Sequence, residues 1–538
     1  MAGAPSCSYF FSLGNPYKTS FSALRSEVKA ILQLDGWPER SGRELGREGP
    51  MEAGDTAGPL SNAVPAMSGS PTHGGEATGS RLGLALGLVV AAQFVLQLDF
   101  SIVNVALPTI KRELHFAPAE LQWIVTGYAL TFGSLLLFGG RVGDLARHRR
   151  VLLIGLCAFG VTSLAAGLSP TSLTLIGSRF LQGASAAFIA PQALAIITDL
   201  FSEGPARTRA LGIFQGATAA GATAGIVLGG ILTEFVGWRS VFLVNPPIII
   251  VLIIAMRRVL PIQARRMGTG LDIAGAVLAT ASIALLIFGL SEGQQKGFTN
   301  STALTGLVLA VVLGVTFVVV EKRTKTPMVP LQVLADPARR AALSTTLLVG
   351  AVVAGYVYFT SLYLQDVLRF SPLQTGLALI PATGTAMLTA VVITRRALAR
   401  LGMRTVLLGG LSIIGLAQLW LFTISDTGSY QVNVLGGIML TAFGIGLVFP
   451  AASVAVTSGI VAGERGLAGG LFVTAQQVGQ AIGLAALATI AAARTNAHHG
   501  SLVIGYKTSF LVAAGIVVLA IVIVLIQMRG RAVPEPGT

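Results

Sequence analysis

The chain has 538 residues, of which 53% are hydrophobic and 11% charged, with a formal net charge of +14. Soluble domains carry about 25% charged residues, so this composition, with its mean hydropathy of +0.76, excludes an ordinary soluble protein. The basic excess does not indicate nucleic acid either, because it is distributed along the chain as a membrane-topology signal.

Residues 1–80 are rich in Gly, Pro, Ser and charge and hold no apolar run long enough to span a bilayer. This predicts a disordered cytoplasmic tail and no signal peptide. Met51 and Met67 stand as alternative starts. Beyond residue 80, fourteen apolar runs of about 20 residues follow, the first at 82–107 and the last at 507–528; each is long enough to cross a membrane as a helix. Alternate connections plus the tail 529–538 hold 22 Lys and Arg, against seven on the opposite side. The positive-inside rule then puts both termini in the cytoplasm. Cys7 and Cys157 give no disulfide framework or metal site, and no phosphate-binding loop occurs. Neither a cofactor nor an enzyme activity is expected.

The first run contains Asp99, and the fourth (172–194) contains Arg179. A charge at bilayer depth costs roughly 2.5–3.5 kcal/mol on insertion scales, so it needs a partner. Each lies nine positions from a proline read as the outer end of its helix, Pro108 and Pro170. At 1.5 Å per residue both sit about 13 Å below the outer surface. Gln182 shares a helix face with Arg179. Two opposite charges at one depth indicate a proton-handling pair; a purely structural ion pair is the competing reading. In the fifth run Gly221, Gly225 and Gly229 recur every four residues, with Gly230 adjacent, a face of small residues suited to close helix packing.

An internal repeat organises these runs. Residues 149–156 recur as 404–411, 209–211 as 465–467, and Pro191 as Pro450, at shifts of 255, 256 and 259. Matches at nearly constant offset argue for two related halves. We expect an N-terminal half at 81–260, two inserted helices at 261–325 and a C-terminal half at 326–528, with a midplane site at the interface between halves. Asp144 maps to Ala399 and Arg179 maps near Ile438, so the charges belong to the first half.

The segment Leu98 to Pro108, reading LDFSIVNVALP, is similar to a helix 1 signature of the major facilitator superfamily. Over roughly residues 85–525 the chain resembles that superfamily's fourteen-helix drug:proton antiporter branch. The resemblance implies an all-α integral membrane protein with the major facilitator fold: two pseudo-symmetric six-helix halves plus two inserted helices. It implies a coupling or substrate-binding role for Asp99. Residues 140–150 are similar to the family's loop between helices 2 and 3. Gly140, Gly143, Asp144, Arg149 and Arg150 are therefore expected to gate, with Asp144 against a helix N-terminus across the half interface; a plain topology anchor is the alternative. The family's usual glycine in that loop is Arg147 here, and its usual basic residue is Leu145. Arg179, Gln182 and Gly183 resemble the helix 4 arginine motif. The helix 5 antiporter motif is matched in part, with Ile226 in place of the family proline. Trp238-Arg239, Asn245-Pro246 and the segment from Ser371 to Gly376 add to the likeness.

The expected function is proton-coupled efflux of lipophilic neutral or monocationic small molecules, drugs and antibiotics among them, by alternating access. Gln97, Asn104, Gln182, Tyr356, Gln476, Gln477 and Gln480 are candidates to line the substrate cavity, and each reads equally well as a bridge between helices. The run at 376–394 holds no acid, which disfavours dications. The expected partners are a small lipophilic substrate, protons and the bilayer, with no nucleic acid, for a monomer in a bacterial inner (plasma) membrane. A dedicated exporter of one metabolite, siderophore or lipid is the alternative. A proton-channel-type membrane subunit ranks lower because all seven lysines fall in loops or the tail. A non-transporting membrane sensor would show no flux.

Overall fold

Long apolar segments deprived of water must satisfy their backbone groups internally, which favours helices. The computed structural model describes residues 79–116, 118–261, 272–324, 327–329, 331–461, 464–498 and 501–528. The expected tails, up to residue 78 and from 529, lie outside the described residues. Except for the start of the first helix, what is described belongs to one unit, Leu84–Thr538.

In chain order the long helices are α1 (Gly79–Glu113), α2 (Trp123–Ala146), α3 (His148–Gly167), α4 (Ser172–Leu200), α5 (Pro205–Phe235) and α6 (Ser240–Val259). Two more, α7 (Ile273–Lys296) and α8 (Ser301–Arg323), precede α9 (Pro337–Val367). The run Leu373–Leu421 holds α10 and α11; then come α12 (Tyr430–Thr457), α13 (Arg465–Ala497) and α14 (Leu502–Gln527). Thirteen stretches among the described residues are thus long and apolar enough to cross a membrane. The 49-residue run would extend about 70 Å if straight, more than twice a bilayer's hydrocarbon thickness. Gly402 divides it, with φ 76° and ψ 166°, so α10 ends and α11 begins there. The total is the expected fourteen. The chain is an all-helical, multi-pass membrane protein.

One local expectation is corrected, and one helix proves to be broken. Pro108 does not end α1, which continues to Glu113 with the proline inside it. Membrane helices tolerate an interior proline because neighbouring groups re-satisfy the freed backbone. Conversely, α4 is not one smooth helix. It breaks at Phe188 and Ile189 into Ser172–Ala187 and Ala190–Leu200, because Pro191 offers no N–H to the Ala187 carbonyl.

The repeat reappears as packing. A Cβ on Gly221, Gly225 or Gly229 of α5 would lie 2.6 Å from the carbonyl oxygens of Phe94, Leu98 and Ile102 of α1, respectively. In the second half, Gly479 and Gly483 of α13 pack so closely on Leu347 and Ala351 of α9 that a Cβ on either would clash with the α9 backbone. Every partner sits 253 residues on for α1 and 258 on for α5. The third contact exchanges its small member: Gly355 of α9 receives the Leu487 side chain of α13 where a Cβ would otherwise stand. Gly230 has nothing within 4 Å and takes no part. α5 runs unbroken past Ile226, whose side chain meets Gly376 of α10. The inserted pair packs on the first half through Gly133 of α2, which faces Ile287 of α7. It shares an apolar cluster containing Leu137, Ala276, Ala279, Val329 and Leu467.

Candidate functional site

α1 and α4 bring Asp99 and Arg179 together inside the first half, both 0% exposed. Arg179 donates from Nη1 to Asp99 Oδ2 at 2.7 Å and to Gln182 Oε1 at 2.7 Å, and from Nε to the Ile124 carbonyl at 3.0 Å. Asp99 Oδ1 accepts from Gln182 Nε2 at 2.9 Å and from Asn245 Nδ2 of α6 at 2.7 Å. Asn245 also donates to Ser163 of α3 at 3.0 Å. The guanidinium lies 4.4 Å from the Tyr128 ring centroid and 5.8 Å from that of Phe242. Such cation–π contacts add attraction where water is excluded. Desolvating two ions costs several kcal/mol each, and only extra hydrogen bonds of this kind make the pair tenable. Arg179 Nη2 and Asn245 Oδ1 remain buried without a partner.

Asp99 and Arg179 meet as expected, although Pro108 is not the helix end from which the depth of Asp99 is counted. The location of the pair differs from expectation: it sits among α1, α3, α4 and α6, within one half and not between the halves. The physical reason is that α5 packs along the Phe94, Leu98 and Ile102 ridge of α1. Asp99 is thereby turned toward the core of its own half. Gln182 goes with it, both ends of its amide committed to the pair.

At the face carrying the arginine-rich connections, the last turn of α2 meets the first turn of α13. Asp144 accepts the backbone N–H groups of Gly466 and Leu467 at 2.8 and 2.9 Å. A carboxylate here satisfies orphan donors and faces the positive end of the helix dipole. Gly140 makes the approach possible, since a Cβ on it would lie 2.4 Å from the Gly466 carbonyl oxygen, and the converse holds for Gly466. Gly143 lies against Gln192, which donates to the Gly139 carbonyl at 2.7 Å and contacts His148 Nδ1 at 2.8 Å. His148 Nε2 is 3.5 Å from Asp144. Arg465 of α13 pairs with Asp199 of α4. Arg149 donates to the Arg257 carbonyl at 2.6 Å, tying α3 to the end of α6, while Arg150 is exposed.

A second seam joins α5 to the other half at the same face. Arg207 donates to the Thr457 carbonyl at 2.7 Å, and Glu203 accepts from the Gly459 amide at 2.8 Å. Deeper in, the Thr223 and Thr383 hydroxyls bond directly. The halves are therefore fastened together at the arginine-rich face.

The remaining expected cavity residues lie on α1, α9 and α13. Gln97 is half-buried against Gly221, and Asn104 is exposed, donating its amide to the Phe100 and Ser101 carbonyls of its own helix. Tyr356 is buried in α9. Gln476, Gln477 and Gln480 are half-buried on α13, with the backbones of Gln476 and Gln480 against Gly350. Sequence reasoning gave no site role to Asn245, Ser163, Tyr128 or Gln192. The signals were present: Asn245 precedes two prolines in an apolar run, and Gln192 follows Pro191.

A family model described as Major Facilitator Superfamily matches residues 89–484. The chain is 37% identical over 457 residues to the cephamycin export protein CmcT of Amycolatopsis lactamdurans, covering 84% of this chain and 94% of that protein. It is 34% identical to the puromycin resistance protein pur8 of Streptomyces alboniger, covering 84% and 93%. The multidrug resistance protein Stp of Mycobacterium tuberculosis is 31% identical over 74% of each chain. In three dimensions the chain is similar to the human organic anion transporter MFSD10, with TM-score 0.57, 17% identity, 82% of this chain covered and 97% of the other. The chain belongs to the major facilitator superfamily and, within it, to the drug-efflux family that includes these antibiotic-export and resistance transporters.

Proposed function

We propose that this protein exports lipophilic neutral or monocationic small molecules, antibiotics among them, in exchange for protons across a bacterial inner membrane. Both termini lie in the cytoplasm, so the arginine-rich face is the cytoplasmic one, and residues 81–260 and 326–528 move as the two rocking halves. The observation that carries this reading is the sealed Asp99–Arg179 pair, held by Gln182 and Asn245 from two helices. Protonating Asp99 removes one charge of the pair and leaves Arg179 without a counter-ion, so α1, α4 and α6 must readjust. Proton occupancy thereby biases the balance between the two access states. Asp144 at the first turn of α13 serves as the cytoplasmic latch, released when the halves rock apart. The export and resistance roles named for the relatives support the substrate class.

A membrane potential of 100 mV contributes about 2.3 kcal/mol per charge moved. At about 1.4 kcal/mol per tenfold, one proton sustains a gradient of a neutral substrate of roughly 40-fold. The test is drug or dye efflux from vesicles with an imposed pH gradient, comparing wild type with Asp99→Asn at matched expression. The variant should lose proton-driven efflux while still binding substrate. Undiminished efflux would remove Asp99 from the coupling. Because one relative is named as an exporter of cephamycin, export of a single metabolite is the second reading. Growth protection against one compound rather than many would favour it.

A further inference from the structure

The inserted helices carry a polar arrangement that the export mechanism does not use. Asp272 is the N-cap of α7, and its Oδ1 accepts the Gly275 amide at 2.8 Å. Glu321, in the last turns of α8, accepts the Val329 amide with Oε1. Each carboxyl group thus spends one oxygen on a backbone donor. The other oxygens, Asp272 Oδ2 and Glu321 Oε2, converge on one point. They lie 2.5 and 2.9 Å from where a Cβ on Gly275 would stand.

Both of these oxygens are buried and neither has a donor from the rest of the protein. The two residues are 8% and 3% exposed. The two carboxyl groups act on each other across this point, and Arg141 of α2 is near enough to Glu321 to attract its charge. Arg141 is itself 8% exposed, with its Nε unpartnered. Lys322 and Arg323, the next residues of α8, point outward and are exposed. Arg339, at the start of α9, is committed to the carbonyls of Val333, Val456 and Ser458.

Two ionised carboxylates have only acceptor oxygens, so they cannot hydrogen-bond to each other. Facing one another while buried, they would repel, and desolvation would add to the cost. One proton between them changes this, since a protonated carboxyl donates to its neighbour in a short, charge-assisted bond. Arg141 attracts the remaining single negative charge. Gly275 matters because any larger residue would fill the point where the two oxygens meet.

We propose that Asp272 and Glu321 bind one shared proton, forming a clasp that fastens α7 and α8 to each other and to the segment entering α9. The ligand of this site is the proton itself. The site stands apart from Asp99 and borders the cluster in which Leu137 of α2 and Leu467 of α13 touch the inserted helices. Its occupancy therefore sets how firmly the inserted pair is held against the latch seam. The inference rests on the geometry of the inserted helices and does not depend on the export reading.

The test uses the purified full-length protein in lipid nanodiscs. Infrared difference spectra across a pH titration should show the carbonyl stretch of a protonated carboxyl in wild type. That band should disappear in Glu321→Gln, whose amide donates to Asp272 without needing a proton. Asp272→Asn, which keeps the helix cap, should lose the same band. The wild-type melting temperature should fall as alkali removes the proton and leaves two facing anions, while Glu321→Gln stays level over the same interval. A band unchanged in both variants, or coincident melting profiles for wild type and Glu321→Gln, would overturn the proposal. Transport assays are not needed, so a failed clasp and a failed export reading give separate results.

Discussion

In the first half, α1 sets Asp99 against Arg179 and Gln182 of α4, with Ser163 of α3 holding Asn245 in place. The contact offset of 253 for α1 and the repeat offsets of 259 for α4 and 255 for α3 put Val352, Ile438, Thr441 and Gln418 at the places of Asp99, Arg179, Gln182 and Ser163. The four second-half residues are also buried, but none is charged. What remains is one neutral bond, from Gln418 to the Thr441 hydroxyl at 3.1 Å, with Thr441 donating to its own helix at 2.9 Å. Two bundles with the same glycine-lined contacts therefore differ in whether an ion pair occupies the core. The second half packs without one, so the fold has no need of it. An ion pair that, among the described residues, lies in the core of one half alone, against a desolvation cost of several kcal/mol per ion, points to a task that only that half performs.

Transplanting second-half residues into the first is the sharpest way to break this comparison. Arg179→Ile alone leaves Asp99 buried without its counter-ion and should destabilise the protein by about 3–5 kcal/mol. Adding Asp99→Val removes the stranded charge, and the double variant should regain much of that loss. The two changes are then strongly non-additive, as expected for groups in contact. Thermal melts in detergent measure the stability, and a pH-driven efflux assay on the double variant should read zero. Simple additivity of the two substitutions would mean that the pair is not a coupled unit.

A smaller effect separates the glycines. Gly225→Ala places a methyl 2.6 Å from the Leu98 carbonyl oxygen and 2.8 Å from the Ser101 Cβ. Overpacking of this kind costs typically 1–3 kcal/mol. Gly230→Ala, at a position open to 4 Å, should be neutral or slightly stabilising, since alanine is the better helix former. Melting curves of the two variants, measured side by side, check the contrast. Equal losses would show that α5 does not depend on its close approach to α1.

Much of this arrangement was legible in the sequence because its causes are local or periodic. A charge in an apolar run demands a partner, and Asp99 and Arg179 were the deep charges that the proline spacing set at one level. The glycines of α5 announced their face by recurring every four residues, and the repeat announced the second half. What escaped was set by three-dimensional packing. Nothing in the spacing tells which side of α1 receives α5, and that choice turned the pair into its own half. Asn245 reaches Asp99 across 146 positions, a separation that carries no period. Pro108 misled because one proline has two readings, a helix end or a tolerated interior residue, and the C-terminal end of α1 is tied instead at Glu113. There the Glu113 carboxylate accepts from Trp238 Nε1 at 2.8 Å and pairs with Arg239 at 3.4 Å.

The smallest expected effect concerns the two sharp turns at the arginine-rich face. Arg147, between α2 and α3, has φ 84° and ψ 119°. Its repeat partner 255 residues on is Gly402, between α10 and α11, with φ 76° and ψ 166°. The chain reverses at both places through positive φ, yet only the second turn uses the residue that adopts this conformation without steric cost. A non-glycine residue held in a sparsely populated region stores roughly 1–3 kcal/mol of strain. Arg147→Gly should therefore release strain in the folded state, offset in part by the greater backbone freedom glycine gives the unfolded chain. The net gain is expected near 1 kcal/mol, read as a raised melting temperature. Gly402→Ala should do the reverse by a similar amount, because it imposes on the second half the strain the first already carries. If Arg147→Gly instead lowers stability, the arginine side chain contributes more at the latch than its backbone costs. The first half would then hold a second charged device with no equivalent in the other, beside the buried pair.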